Sequence, residues 1–314
     1  MTQADRTALL IAAMPAVFVL IWSTGFVVAR YGMPHAPPMG FLAWRYALSV
    51  AAFLVWIALT RPAWPREPRQ WLHLAVAGVL MHAGYLGGVW AAVKAGIPAG
   101  TVALIVGLQP VLTALWVSLI VSGPQAEQRV DARQWLGLGL GLLGLVLVVG
   151  HKFGLGAVTP FNLALSLLAL AAITAGTLYQ KRHVAPCDVR TANTIQLAAA
   201  FVVTLPLALL ENEPIVLHPE LIGAMAWSVL VLSLGGSSLL YLLIQRGAAT
   251  RVASLMYLVP PCTAVLAWWL FDEALGPTVL AGIALTAVGV ALVVRAPAPR
   301  PAIIGKDIDK ENPR

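Results

Sequence analysis

Charge is what this sequence has least of. Only 11% of its 314 residues are Asp, Glu, Lys or Arg, while 60% are hydrophobic and the mean hydropathy is +0.84. Soluble domains carry about 25% charged residues, so this chain cannot cover a water-facing surface. It reads as an integral membrane protein. Strictly alternating apolar segments are absent, and the apolar runs are continuous and helix-length, which excludes a β-barrel. Two cysteines, Cys187 and Cys262, exclude a disulfide framework and a cysteine-based metal cluster. No metal or cofactor set emerges elsewhere. The net charge of +7 does not mark a nucleic-acid binder, because the basic residues are scattered between apolar runs and gathered in the tail. The first apolar run, from Ala8 to Val28, is too long for a signal-peptide core and lacks a cleavage site, so it reads as a span.

Buried acid is the second scarcity. All thirteen Asp and Glu residues fall at span ends or in loops. Proton- and sodium-driven carriers commonly use a buried carboxylate as the ion site. Its absence points to facilitated diffusion, or to coupling through another group such as His82. It also disfavours a strongly cationic substrate. Neither paired carboxylates nor a Ser/His/Asp set lies at depth, which argues against an intramembrane enzyme such as a lipid-modifying transferase. The chain is expected not to be an enzyme.

What is present is a repeat. Thr101 to Ser118, TVALIVGLQPVLTALWVS, returns 150 residues later as Arg251 to Trp269, RVASLMYLVPPCTAVLAWW. Leu108, Pro110, Thr113 and Ala114 match Leu258, Pro260, Thr263 and Ala264. An interior proline costs a soluble helix about 3 kcal/mol. In a membrane it is tolerated where neighbouring helices or a wet cavity satisfy the freed carbonyl. Broken helices at corresponding places in two halves point to a transporter's substrate site. A second echo, offset by 145, pairs Gly137 with Gly282 and Gly144 with Gly289. These glycines form small-residue seams, suited to packing the fifth span on the tenth or to dimerisation.

The expected fold is all-α, with ten transmembrane helices as two inverted five-helix repeats around a central cavity. Spans are placed at 8–29, 39–60, 70–93, 98–121, 133–150, 159–180, 190–210, 220–245, 250–271 and 277–294. The repeats are 8–150 and 159–295, joined by a linker at 151–158 and followed by a disordered cytoplasmic tail at 296–314. Sixteen of the twenty Lys and Arg residues flank one set of span ends. Only Arg30, Lys94 and Lys152 flank the other, and Arg45 lies inside the second span. By the positive-inside rule both termini are cytoplasmic.

Candidate substrate-binding residues are His82, Tyr85, Trp90, Gln109, Pro110, Trp22, Tyr241, Tyr257 and Pro260. His82 and Tyr85 share one helix face at i, i+3, and a lone intramembrane histidine is costly unless it meets a cavity or a partner. Its alternative is a structural histidine satisfied within the bundle. Trp90 follows on the same broad face. Gln109 precedes the first proline and Tyr257 the second, so either suits the polar ends of a zwitterion; interhelical hydrogen bonding is the competing reading. Trp22, Tyr179, Gln196, Tyr241 and Gln245 are further polar or aromatic groups at depth, each alone suited to packing or an interface belt. Arg45 reads as snorkelling to the external interface, with a substrate carboxylate as its alternative partner.

Taken together, the two mid-span prolines with their Thr-Ala, the acidic residue after each such span (Glu127, Glu273) and the glycine-rich closing spans resemble the EamA-domain transporters of the drug/metabolite transporter superfamily. The likeness runs from Pro15 to Val294; in the first half Gly123-Pro124-Gln125-Ala126-Glu127 replaces the family's Gly-Glu pair. The resemblance implies ten helices, inverted repeats and a cavity lined mainly by the third, fourth, eighth and ninth spans. Bacterial exporters of aromatic and other neutral amino acids look most similar. That implies alternating-access export of a small molecule across the inner membrane, by a monomer or homodimer in the lipid bilayer, without nucleic acid. Drug or nucleoside efflux is the alternative, and a purely structural scaffold fits the costly prolines poorly.

Overall fold

A computed structural model describes residues 3–120, 132–239 and 258–294, and every regular element among them is a helix. Lipid demands this, because each backbone N–H and C=O must be satisfied within its own segment. Helix α1 spans Gln3–Gly32 and α2 Pro38–Thr60. α3 runs from Pro68 to Lys94 as one rod with a π-helical stretch at Val79–Gly84. α4 (Ala99–Val106) and α5 (Gln109–Ile120) follow, then α6 (Ala132–Gly154), α7 (Pro160–His183) and α8 (Val189–Leu210). α9 covers Pro219–Leu239 with a second π stretch at Trp227–Gly236; α10 (Val259–Phe271) and α11 (Pro277–Val294) complete the order. Six helices, α2, α3, α6, α7, α8 and α9, are long and apolar enough to cross a membrane. Shorter apolar helices begin at Ala16, Ala99, Val259 and Pro277.

Local sequence explains the boundaries. Five helices (α2, α3, α7, α9 and α11) open on a proline, where the missing N–H would have been unpaired anyway. The segment read as a single fourth span is split into α4 and α5 at Gly107–Leu108. Pro110 has no N–H to offer the Val106 carbonyl, so the rod ends there and restarts. Pro260 and Pro261 sit instead in the first turn of α10. The expected linker at 151–158 is shorter than drawn, because α6 continues through Gly154 and the chain turns at Gly156 with φ +74°.

Long-range caps tie one rim together. The Glu211 carboxylate accepts from the Met39 and Gly40 N–H groups (3.0 and 2.8 Å), closing the first turn of α2. Glu273, the acidic residue after the second proline segment, accepts from Ala99 N–H at 3.1 Å and does the same for α4. Lys94 donates to the Met33 carbonyl (2.8 Å) and pairs with Glu213, while His35 meets Glu220 at 2.8 Å. At the opposite rim Asp188 caps α8, accepting from Arg190 N–H at 2.9 Å and pairing with its guanidinium. That hydrogen-bonded guanidinium holds the Asp188 carboxyl below the usual carboxylate range.

Helix contacts are reciprocal. α2 packs on α8 and α6 on α11; α1 meets the π stretch of α9 and α7 meets that of α3; α1 meets α10 and α7 meets α4. Glycines set the closest approaches. A Cβ at Gly88 would strike the Leu165 carbonyl and Ala169 of α7, and one at Gly78 would strike the Gln196 backbone of α8. Along α6 and α11, Gly144 lies against Gly282 and Thr286, whereas Gly289 lies against Gly137 and Gly141. Contacts that run in opposite order along the two helices make them antiparallel.

Gly144→Leu should therefore lower the thermal stability of the detergent-purified protein, by about 1–3 kcal/mol from overpacking. Gly139→Ala, whose Cβ would meet nothing within 4 Å, should melt like the wild type. Equal melting of both variants would mean that the seam does not hold the bundle.

Candidate functional site

Where the reciprocal pairs meet, the bundle leaves a chamber whose empty space, counted out into open solvent, is about 750 Å³. Trp22, Gly25 and Phe26 of α1 line it, with Arg45 of α2 and Met81, His82, Tyr85 and Trp90 of α3. Asn193 and Leu197 of α8, Ile173 of α7, and Leu232, Ser233 and Ser237 of α9 line it as well.

Both π-helical stretches contribute to this wall, through Met81 and His82 and through Leu232 and Ser233. Such bulges disturb the i→i−4 ladder and recur at functional sites. Here side chains answer the loosened backbone. Tyr46 donates its hydroxyl to the His82 carbonyl at 3.0 Å, and Ser233 donates to the Ser228 carbonyl at 3.0 Å. The His82 ring, half-buried, has Gln196 within hydrogen-bonding reach. His82 thus presents its ring to the chamber from a turn held open by Tyr46.

Four of the expected residues come together here: Trp22, His82, Tyr85 and Trp90. Trp90 is chiefly a packing residue, 1% exposed and stacked on Phe41 with centroids 4.3 Å apart. Gln109, Pro110 and Pro260 are not among the lining residues. Gln109 donates to the Thr177 hydroxyl at 2.9 Å, an interhelical bond to α7, and Pro260 is buried against Gly107. Tyr241 and Tyr257, with Gln245, lie outside the described residues. Gln196 donates to Gln180 (3.3 Å), and Tyr179 bonds His73 (2.8 Å). Of the third, fourth, eighth and ninth spans expected to form the wall, the third and eighth line the chamber among the described residues, joined by the first, second, sixth and seventh. The mid-span prolines shape the bundle beside the chamber rather than its lining.

Arg45 corrects a second expectation. It does not snorkel: it is 6% exposed, lines the chamber, and its Nε has no hydrogen-bond partner among the described residues. Trp44 beside it turns outward at 58% exposed. The signal was in the helix period, because Leu42, Arg45, Ser49 and Phe53 follow one another at i+3 and i+4 and are all buried. Asn193, Ser233 and Ser237 carried no comparable signal; they are small polar groups in apolar runs.

The model of the EamA-like transporter family matches residues 8–150 and again 161–295. The chain belongs to that family, within the drug/metabolite transporter superfamily, and is a multi-pass membrane transporter. It is 26% identical over 304 residues to the uncharacterized transporter YvbV of Bacillus subtilis (strain 168), covering 96% of this chain and 95% of that one. It is 23% identical over 282 residues to a Salmonella typhimurium protein named "Probable amino-acid metabolite efflux pump", covering 86% and 90%. A solved crystal structure 18% identical in sequence superposes with a TM-score of 0.62 over 89% of this chain and 95% of that chain, which shows the fold alone.

His82→Ala and Tyr85→Phe should reduce transport in proteoliposomes while leaving the melting temperature close to wild type. Trp90→Ala should instead destabilise the protein by about 3–5 kcal/mol, the cost of emptying a packed aromatic site. Wild-type transport by both chamber variants would remove His82 and Tyr85 from the site.

Proposed function

We propose that this transporter exports amino acids, aromatic or otherwise neutral, or closely related metabolites, across a bacterial inner membrane by alternating access. The observation that carries the reading is the chamber itself: aromatic side chains of the first half and small polar and aliphatic ones of the second converge, with Arg45, on one space. The name of the Salmonella relative points the same way. Within this reading the chain forms ten spans in two inverted repeats, 8–150 and 159–295. The swapped glycine contacts support it, since Gly137 meets Gly289 while Gly144 meets Gly282. Equivalent positions exchange partners, as they do across a two-fold axis, and the antiparallel run of α6 and α11 accords with such an axis lying in the membrane plane. The seam is filled within one chain, which accords with a monomer as well as with a homodimer.

Both termini are cytoplasmic in this reading, supported by the sixteen-to-three bias of Lys and Arg. Rocking of one half against the other about the chamber would open it to each side in turn. Drug or nucleoside efflux remains the second reading, because aromatic walls suit any flat ligand. An intramembrane enzyme fits poorly, as the family's members are transporters and the described chamber offers no acid–base pair.

Counterflow in proteoliposomes against a panel of amino acids and nucleosides tests the assignment, and exchange of labelled aromatic or branched amino acids is the expected result. Exchange of nucleosides alone would overturn it. Cys187 reports orientation. Burial pushes its thiol above the ordinary value, so little thiolate exists at neutral pH and labelling should speed up as pH rises towards that value. A membrane-impermeant maleimide should label it in inside-out vesicles and leave it untouched in right-side-out cells; the reverse pattern would invert the topology.

A further inference from the structure

We propose that Arg45 anchors a substrate carboxylate, and that the chamber prefers monocarboxylates of net charge −1 with an aromatic or branched body over zwitterions and cations. The inference rests on the reading that this chamber holds the substrate.

Arg45 is inside the bundle, at the wall, and without an ionic partner among the described residues. The acids that line up near the rims are engaged elsewhere: Glu211 on the start of α2, Glu273 on that of α4, Glu213 with Lys94, and Glu220 with His35. The stretch 240–257, which continues from α9, contains neither Asp nor Glu. A guanidinium inside a membrane bundle is costly unless an anion meets it. Its planar fork matches a carboxylate through two parallel hydrogen bonds, a geometry that ammonium donors lack. Nε is among the donors left unpaired.

The rest of the wall settles which carboxylates suit it. Trp22, Phe26, Tyr85 and Leu232 offer faces for an apolar body. His82, Asn193, Ser233 and Ser237 add polar groups to the same wall. An α-ammonium entering with the carboxylate would find no anion on the described wall, and would face the like charge of Arg45. Arg45 plus a simple carboxylate is neutral as a pair; Arg45 plus a zwitterion leaves a buried cation over. Deaminated or N-acylated relatives of amino acids therefore fit better than the amino acids themselves. A free amine carrying the same ring has no anchor at all.

Calorimetric binding to the purified protein separates these chemistries with three probes of similar size: 3-phenylpropionate, phenylalanine and 2-phenylethylamine. The expected order is phenylpropionate first, phenylalanine about tenfold weaker and phenylethylamine without measurable binding. Arg45→Gln should weaken phenylpropionate about tenfold to a hundredfold, the worth of a charge-assisted hydrogen bond. Arg45→Lys should restore part of it. The Gln variant should also melt at or above the wild-type temperature, because it removes an uncompensated charge; a purely structural arginine would lower it. Equal phenylpropionate affinity in wild type and Arg45→Gln overturns the inference, as does a wild type that binds phenylalanine more tightly than phenylpropionate or binds none of the three. Ser233→Trp, which fills the chamber, tells the two levels apart. If it blocks counterflow while Arg45→Gln leaves selectivity unchanged, the chamber stands and the carboxylate anchor falls. If it leaves counterflow intact, the chamber reading falls first.

Discussion

Backbone-to-backbone contact at glycine is the constraint from which the rest follows. In lipid there is no hydrophobic force to drive helices together, so close packing and the few interhelical hydrogen bonds must hold the bundle. Gly78, Gly88, Gly144, Gly282 and Gly289 each sit where a side chain would collide with a neighbouring backbone. These approaches draw α3 onto α7 and α8, and α6 onto α11. Of these, α3 carries Tyr85 and Trp90 towards the centre, where Trp22 of α1 joins them. Bulky side chains there keep the middle from closing as tightly as the seams, and the chamber is the space left between them.

The chamber breaks the rules that the perimeter obeys. Its walls contain both π-helical stretches, a histidine, and a guanidinium with no acid beside it among the described residues. At the rims, by contrast, Lys94 pairs with Glu213, His35 with Glu220 and Arg190 with Asp188, and helix starts are capped by Glu211, Glu273 and Asp188. Of the described residues that line the chamber, Arg45 alone has a buried polar atom without a hydrogen-bond partner, and a cavity wall is where a small polar ligand can supply one. The two π stretches sit on the third element of each half, at Val79–Gly84 and Trp227–Gly236.

Much of the fold was legible because its signals are periodic. Continuous apolar runs mark the helices, prolines mark their starts, and the paired glycines of α6 and α11 mark the seam where those two helices touch. The break at Gly107 follows from Pro110. The site was legible only where a polar residue was conspicuous against an apolar run, as with His82 and Tyr85. Gln109 was equally conspicuous, yet its amide is taken up by Thr177. Composition alone does not say whether a polar group at depth faces a cavity or a neighbouring helix. The distance of Arg45 from the span end allows snorkelling, but the buried helical face it shares with Leu42, Ser49 and Phe53 turns it inward. Asn193 and Ser233 reach the chamber through the tertiary pairing of α2 with α8 and of α1 with α9, which no local pattern encodes.

The central claim is that the space beneath Arg45 and between the π stretches is where the cargo sits. Substrate protection measures it most directly. A single cysteine introduced as Ser233→Cys, with Cys187 and Cys262 replaced by serine, should react with a small maleimide from one side of the membrane. A transported substrate should slow that reaction in proportion to its occupancy. Labelling at the same rate with and without saturating substrate, in a protein that still transports, would contradict the account.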